Sequence, residues 1–122
     1  MNFASTDDFL INENQVYAFS VLREFLTTKK VEIEEEGEVI GEEVAALTAV
    51  KVDVTKDGKV QVRYEYGFEV EGEKAVESVE LVITVGKFDE KLLLSFEPLS
   101  GNRLYYKKIV KEVKQLYANC LA

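Results

Sequence analysis

The stretch VKVDVTKDGKVQVRYEY, residues 50–66, decides the fold, because apolar and polar residues alternate on both sides of a short turn signal. Alternation with a period of two residues is the pattern of a β-strand with one buried face. A two-residue turn at the Asp-Gly pair would place Val54 opposite the polar Gln61. A three-residue loop that ends at a left-handed Gly58 instead places Val54 opposite Val60. The hydrophobic pattern therefore predicts the three-residue loop and an antiparallel hairpin.

Two further alternating runs extend this hairpin into a four-stranded antiparallel meander. The predicted strands cover Val44–Thr55, Lys59–Glu71, Lys74–Gly86 and Lys91–Glu97. Gly72-Glu73 is predicted to form a type II′ turn, because glycine suits its first central position, and residues 87–90 form the next loop. These turns predict the cross-strand pairs Tyr66–Val79, Tyr64–Leu81, Val62–Ile83, Val85–Leu92 and Ile83–Leu94. One face of the sheet is then apolar, and the other is polar.

Two segments with helical periodicity flank the meander. The first covers Tyr17–Thr27, and Asn12 is its predicted N-cap. The second begins after the fourth strand, with Ser100 as its predicted N-cap and an apolar arc that reaches Leu121. The sequence thus predicts a single α+β domain over residues 1–122. Its order is an N-terminal helix, the four-stranded meander and a C-terminal helix, with both helices on the apolar face of the sheet.

The composition limits the classes of partner. The 122 residues carry a net charge of −8. Such a chain is poorly suited to bind nucleic acid or an anionic membrane, because both require clustered Lys and Arg. No signal-peptide pattern and no apolar run of about 20 residues is present, and a single cysteine cannot form an internal disulfide. A cytoplasmic location is the prediction.

The sequence offers few groups for catalysis. It contains no His and no phosphate-binding glycine loop or nucleophile motif. Cys120 lies on the apolar arc of the second helix, so we expect a buried and unreactive thiol. The pattern from Asp53 to Gly58 faintly resembles a calcium loop, but Tyr64 stands where that loop needs a Glu. We therefore predict no enzyme activity, no catalytic residues, no cofactor and no metal site.

Two charged segments are candidates for an interaction. Residues 31–44 contain seven Glu and no basic residue. One interpretation is a solvated loop, and the other is a binding segment that includes Glu32, Glu34, Glu35 and Glu36. The exposed face of the second helix is basic, with Lys107, Lys111 and Lys114 as its candidate residues. The acidic and basic segments could meet within one chain or between two chains.

An open strand edge is a further candidate. In the predicted registers the fourth strand covers only the Leu81–Gly86 part of the third, which leaves Ala75–Glu80 without a partner. Open edges are covered, charged or used for binding. The candidate residues at this edge are Val76, Glu77, Glu80 and Val82. An added strand could be Val31–Glu34 of the same chain, the same edge of a second subunit, or a segment of another protein.

These features favour a non-catalytic, chaperone- or adaptor-like domain that binds another polypeptide, either as a monomer or as a homodimer. Two alternatives remain open at this point. One is a small-molecule binding domain with a pocket between the helices and the sheet. The other is an acidic inhibitor that mimics nucleic acid. The predicted partner is another protein or a second copy of this chain, with no role for nucleic acid or a membrane.

Overall fold

The fold consists mainly of antiparallel strands. The computed structural model describes residues 7–28, 31–32 and 46–122. The strands are β1 (Phe9–Ile11), β2 (Val31–Glu32), β3 (Ala46–Val54), β4 (Lys59–Val70), β5 (Glu73–Phe88) and β6 (Lys91–Ser100). The helices are α1 (Gln15–Thr28) and α2 (Arg103–Leu116), and a 3₁₀ turn, Ala118–Cys120, follows α2.

The predicted α+β class with an antiparallel sheet is confirmed, but the predicted number of four strands is wrong. Five strands form the main sheet in the order β1-β6-β5-β4-β3, and the two-residue β2 pairs with the outer side of β3. The strand β1 was not predicted, and β2 is the start of the Val31–Glu34 segment, which the sequence offers only as a possible added strand. The three residues of β1 are too few to show an alternating pattern of their own.

Alternate sheet residues and the inner faces of both helices form one apolar core cluster. The buried sheet residues include Val60, Val62, Tyr64, Tyr66, Val79, Leu81, Ile83, Val85, Leu92, Leu94 and Phe96. The buried helix residues include Ala18, Leu22, Phe25, Leu26, Tyr106, Ile109, Val110 and Val113. Since these sheet residues all point to one face, both helices pack on that face. Neither described helix has the length and apolar character needed to cross a bilayer.

The predicted register of the first hairpin is confirmed next to its turn. Val54 pairs with Val60, and Val52 pairs with Val62. Gly58 has a φ of 83°, so the three-residue loop ends in the left-handed region as expected. Further along, a β-bulge between Ala49 and Lys51 removes Val50 from its predicted place opposite Tyr64.

The predicted registers of the next two hairpins are wrong by two residues. Tyr66 pairs with Glu77 instead of Val79, and Val85 pairs with Leu94 instead of Leu92. A shift of two residues keeps every side chain on its face, so the hydrophobic pattern cannot detect it. The turns set the register: the central residues are 71–72 in one hairpin and 89–90 in the other.

The strand β1 is held on both of its sides. It pairs with Leu92–Leu94 of β6 on one side. On the other side the N–H of Asn12 donates to the carbonyl of Cys120 at 2.8 Å, and the N–H of Ala122 donates to the carbonyl of Leu10 at 3.0 Å. The segment after α2 therefore completes this end of the sheet.

The N-cap of each helix lies two residues after the predicted one, and α1 itself begins at Gln15, two residues before the predicted helical segment. The side chain of Asn14, not that of Asn12, accepts a hydrogen bond from the N–H of Tyr17 at 2.8 Å. In α2 the cap is Asn102, whose Oδ1 accepts from the N–H of Leu104 at 2.8 Å. The predicted cap, Ser100, is still part of β6. The strand β6 thus continues three residues past Glu97, its predicted end.

Candidate functional site

Among the described residues, β4 and β5 continue as a two-stranded arm past the point where β6 ends. The pairing of β5 with β6 reaches no further than Glu80 and Ser100. The pairing of β4 with β5 continues to Val70 and Glu73 at the turn. Within the residues that the structure describes, no strand lies beside residues 73–77 of β5 on the side away from β4. We call residues 73–77 the β5 edge.

The β5 edge is shorter than the predicted open segment. Glu80 pairs with Ser100, so the prediction that it lies on an open edge is wrong. The chain then turns at Gly101, which has a φ of 102°. A Cβ at Gly101 would lie 2.8 Å from the Cα of Val79 and closer still to the carbonyl oxygen of Ser78. The backbone after β6 therefore covers β5 at these two residues.

Two residues of the β5 edge direct their backbone groups to the open side. In an antiparallel ladder, hydrogen-bonded and non-bonded pairs alternate. The two-residue turn makes Val70 and Glu73 a bonded pair, so Glu73 faces β4. By alternation, Lys74 and Val76 direct their N–H and C=O groups away from β4. This arrangement provides donors and acceptors for one more strand.

An acidic and aromatic cluster lies on the inward side of the arm. The hydroxyl of Tyr66 donates to Oε2 of Glu77 at 2.9 Å. The ring of Tyr66 is edge-on to the ring of Tyr105, with 4.8 Å between the centroids. Burial and the bond to Glu77 raise the pKa of the Tyr66 hydroxyl, so it remains a hydrogen-bond donor. Glu77 thus lies on the inward face of the sheet, opposite Tyr66.

The other predicted edge residues have different surroundings. Val76 is 67% exposed on the outward face, as an interaction residue requires. Val82 is half-buried in the middle of the sheet and pairs with Gln61 and Glu97. Glu80 lies 4.0 Å from the guanidinium of Arg63 in an ion pair. The structure therefore brings Val76 and Glu77 together at the edge and places Glu80 and Val82 away from it.

The β5 edge carries negative charge. Glu71, Glu73 and Glu77 are exposed, and Lys74 is the basic residue among them. Three negative charges and one positive charge give residues 71–77 a formal net charge of −2. An approaching strand with basic side chains would be attracted to this surface.

The basic face of α2 is partly occupied by the chain's own residues. Nζ of Lys107 lies 2.8 Å from Oδ2 of Asp7. Nζ of Lys114 lies 5.9 Å from the centre of the Phe9 ring. Lys111 is exposed. Lys107 and Lys114 thus contact the segment that contains β1.

The acidic segment contributes little to the described structure. Glu34, Glu35 and Glu36 lie outside the described residues. For Glu32 the backbone is described, and β2 pairs with Ala46 and Leu47 of β3. The hypothesis that Val31–Glu34 pairs with the open edge of β5 is therefore wrong for residues 31–32, because their partner is β3 on the far side of β4, and residues 33–34 lie outside the described residues.

Among the residues that the structure describes, a second strand edge lies on the outer side of β3, beyond the β2 pairing. Val54 is 62% exposed there, close to the exposure of Val76. The bulge at Val50 interrupts this edge, and Lys51 and Asp53 form an ion pair of 3.5 Å along it. Bulges and charges of this kind are typical of edges that avoid pairing. The β3 edge is therefore a useful comparison for the β5 edge.

One cavity corresponds in position to the predicted small-molecule pocket. It has a volume of about 500 Å³ and lies between the first half of α2 and residues 95–98 of β6. Asp7, Asp8, Arg103 and Lys107 are among its lining residues. Burial, together with Asp7 and Asp8, raises the pKa of the adjacent Tyr106 hydroxyl to about 12. Lys107 is already paired with Asp7, so the charges of these two side chains neutralise each other.

The structure places Cys120 differently from the prediction. It lies in the 3₁₀ turn after α2, not within the helix, and it is half-buried rather than buried. Burial, and to a smaller extent Glu13, raises the pKa of its thiol. In the described parts of the chain, no group of three or more Cys, Asp or Glu side chains is placed to hold a metal ion.

The sequence matches no protein-family model, and no curated protein is significantly similar to it. The β5 edge is therefore interpreted from its own geometry and charge.

Proposed function

We propose that this protein is a non-catalytic domain that binds another polypeptide by accepting an extended segment as a strand along the β5 edge. The observation that carries the proposal is the pair of residues Lys74 and Val76, whose backbone N–H and C=O groups face away from β4. Strand addition of this kind derives its affinity from main-chain hydrogen bonds and its specificity from alternate side chains.

The arm is suited to this role because its inner strand is already fixed. Residues 73–77 are paired with β4 along their whole length, so the edge is pre-organised before a partner arrives. Five residues are within the normal length of a short strand. The proposed binding needs no catalytic group, cofactor or metal. A cytoplasmic location is part of the proposal, supported by the acidic composition and the single cysteine.

The experiment measures whether an added peptide protects the backbone amides of the β5 edge from hydrogen exchange. Isotope-labelled protein is mixed with a panel of extended peptides of about eight residues, a common strand length, that vary in charge. Amide hydrogen exchange is followed by NMR. We expect at least one peptide to slow the exchange of Lys74 and Val76 selectively, because their N–H groups would become hydrogen-bonded. If no peptide slows these two amides, the proposal is wrong.

A matched pair of variants tests the geometry. Val76→Pro removes an N–H that faces the open side and leaves the pairing with β4 intact, so we expect peptide binding to weaken by about tenfold or more. Val54→Pro is the control, because Val54 is similarly exposed on the β3 edge. Circular dichroism confirms that both variants fold. Equal loss of binding in the two variants would contradict strand addition at β5.

A further inference from the structure

We propose that the segment accepted by the β5 edge is basic, with two cationic side chains four residues apart on the face that meets Glu73 and Glu77. This inference rests on the proposed function and adds the chemical class of the partner.

The inward side chains of the edge alternate between acidic and small. Glu73 and Glu77 share a face with Ala75 between them, because side chains two residues apart in a strand point the same way. The two carboxylates are separated by roughly 13 Å along the strand, at about 3.3 Å per residue. A partner strand presents its own side chains with the same repeat, so two cations with this spacing would face both carboxylates at once.

Glu77 is held in place by the groups behind it. The Tyr66 hydroxyl donates to one carboxylate oxygen, and the Tyr105 ring packs against Tyr66. A fixed carboxylate beside aromatic rings favours arginine over lysine, because a planar guanidinium can pair with the carboxylate and stack on a ring. We therefore expect Arg to be preferred opposite Glu77.

The outward side of the edge has the opposite character. Lys74 and Val76 alternate there, and Val76 is largely exposed. In an antiparallel partner strand, the residue opposite Val76 would be apolar and the residue opposite Lys74 would be acidic. The complete expected order, from the residue opposite Glu77 to the residue opposite Glu73, is basic, apolar, unrestricted, acidic and basic.

A second copy of this chain is a poor occupant of the same edge. Antiparallel pairing of two β5 edges about Ala75 would place Glu73 of one chain directly opposite Glu77 of the other. Like charges in directly opposite positions destabilise a sheet. The net charge of −8 also opposes self-association. The charge pattern therefore points to a different, basic polypeptide.

Three peptides test the inference. The first has the expected order, the second has all charges reversed, and the third has the first peptide's composition with its two cations moved to the outward positions. We expect the first peptide to bind at least about tenfold more tightly than the second, and more tightly than the third, with affinity that falls as salt rises.

Two variants localise the effect. Glu73→Gln and Glu77→Gln should each weaken binding of the first peptide by about twofold to fivefold, the range of a partly exposed ion pair. Glu90→Gln, at the exposed turn between β5 and β6, is the control and should leave binding unchanged. Equal effects of all three substitutions would overturn the assignment to Glu73 and Glu77.

The outcomes separate this inference from the proposed function. If all three peptides bind equally and protect the amides of Lys74 and Val76, strand addition stands and the basic partner class is wrong. If none of them, nor any member of the wider panel, protects these amides, both are wrong. If protection rises with protein concentration in the absence of peptide, the occupant is a second copy, which also overturns the basic partner class.

Discussion

At the scale of single residues, Glu71 occupies a backbone conformation that glutamate rarely adopts. Its φ is 52°, and that of the following Gly72 is 83°. Two consecutive positive φ angles between paired strands define a type I′ turn, for which Asn-Gly is the preferred sequence. We predict that Glu71→Asn stabilises the protein by about 0.5–1 kcal/mol, because asparagine tolerates the left-handed region better.

The measurement for Glu71→Asn is the free energy of unfolding in urea. Glu90→Asn is its control, since Glu90 is a turn residue without a positive φ. A midpoint that does not rise for Glu71→Asn, or that rises equally for the control, would contradict the I′ assignment.

Gly101 is the residue where added bulk should cost most. Its φ of 102° and its contact with the backbone of Ser78 and Val79 leave no room for a Cβ. We predict that Gly101→Ala destabilises the protein by about 2 kcal/mol or more, because backbone atoms must move. Gly86→Ala should cost little, since nothing lies within 4 Å of its Cβ position.

Thermal unfolding of Gly72→Ala separates the cost of a positive φ from the cost of the close contact with the backbone. Gly72 also has a positive φ, but its Cβ position is open. We expect Gly72→Ala to lose more stability than Gly86→Ala and less than Gly101→Ala. Equal losses for Gly72→Ala and Gly101→Ala would show that the close backbone approach contributes nothing.

At the scale of elements, the sequence predicts faces better than registers. The period-two pattern places the inward residues of β4, β5 and β6 correctly, because a wrong face would expose a whole set of apolar side chains. Only the hairpin between β3 and β4 has a turn whose alternatives differ in face, and its register next to the turn is right. The other two turns offer alternatives two residues apart, which the pattern cannot separate.

In the candidate site, too, the sequence predicts only the features that do not depend on the register. Val76 and Glu77 follow from their exceptional places in the alternation, so the sequence identifies them. The association of Tyr66 and Tyr105 with Glu77 depends on the register that the sequence leaves undecided. A Glu-Gly pair read as a type I′ turn would have given the observed pairing of Tyr66 with Glu77.

The contact between the two helices contains a testable hydrogen bond. The buried hydroxyl of Tyr117, just after α2, donates to the carbonyl of Ala18 in α1 at 2.7 Å. We predict that Tyr117→Phe costs about 1 kcal/mol of unfolding free energy, the typical net value of such a bond. Chemical denaturation measures the loss.

Tyr64→Phe is the matched control for that bond. The hydroxyl of Tyr64 is also buried, but it has no hydrogen-bond partner in the structure. Its removal should therefore be neutral or stabilising. If both substitutions cost the same, the bond to Ala18 is not the source of the difference.

At the scale of the whole molecule, several tyrosines couple stability to alkaline pH. Burial is the main cause of a raised pKa in Tyr64, Tyr66, Tyr106 and Tyr117. An unfolded tyrosine ionises near pH 10. Above that pH the unfolded chain therefore loses protons that the folded chain retains, and this favours unfolding.

We predict that the free energy of unfolding is insensitive to these groups below about pH 10 and falls as the pH rises towards about 12, the raised pKa of Tyr106. Urea denaturation at a series of alkaline pH values measures the fall, and the ultraviolet absorbance of tyrosinate reports ionisation in the folded state. A stability that stays level across this interval would contradict the burial of these hydroxyls.

The position of β1 between β6 and the residues after α2 has a consequence for biosynthesis. A ribosome makes residues 9–11 early, but their partners at residues 92–94 and 120–122 come much later. At about 5–20 residues per second, this delay is roughly 5–20 s. The hairpins of β3, β4 and β5 can form before residues 92–94 are made, whereas β1 must wait for β6 and gains its second neighbour only with residues 120–122. The earliest strand to be made is thus among the last to be incorporated, and the nascent chain carries an unpaired apolar segment until then.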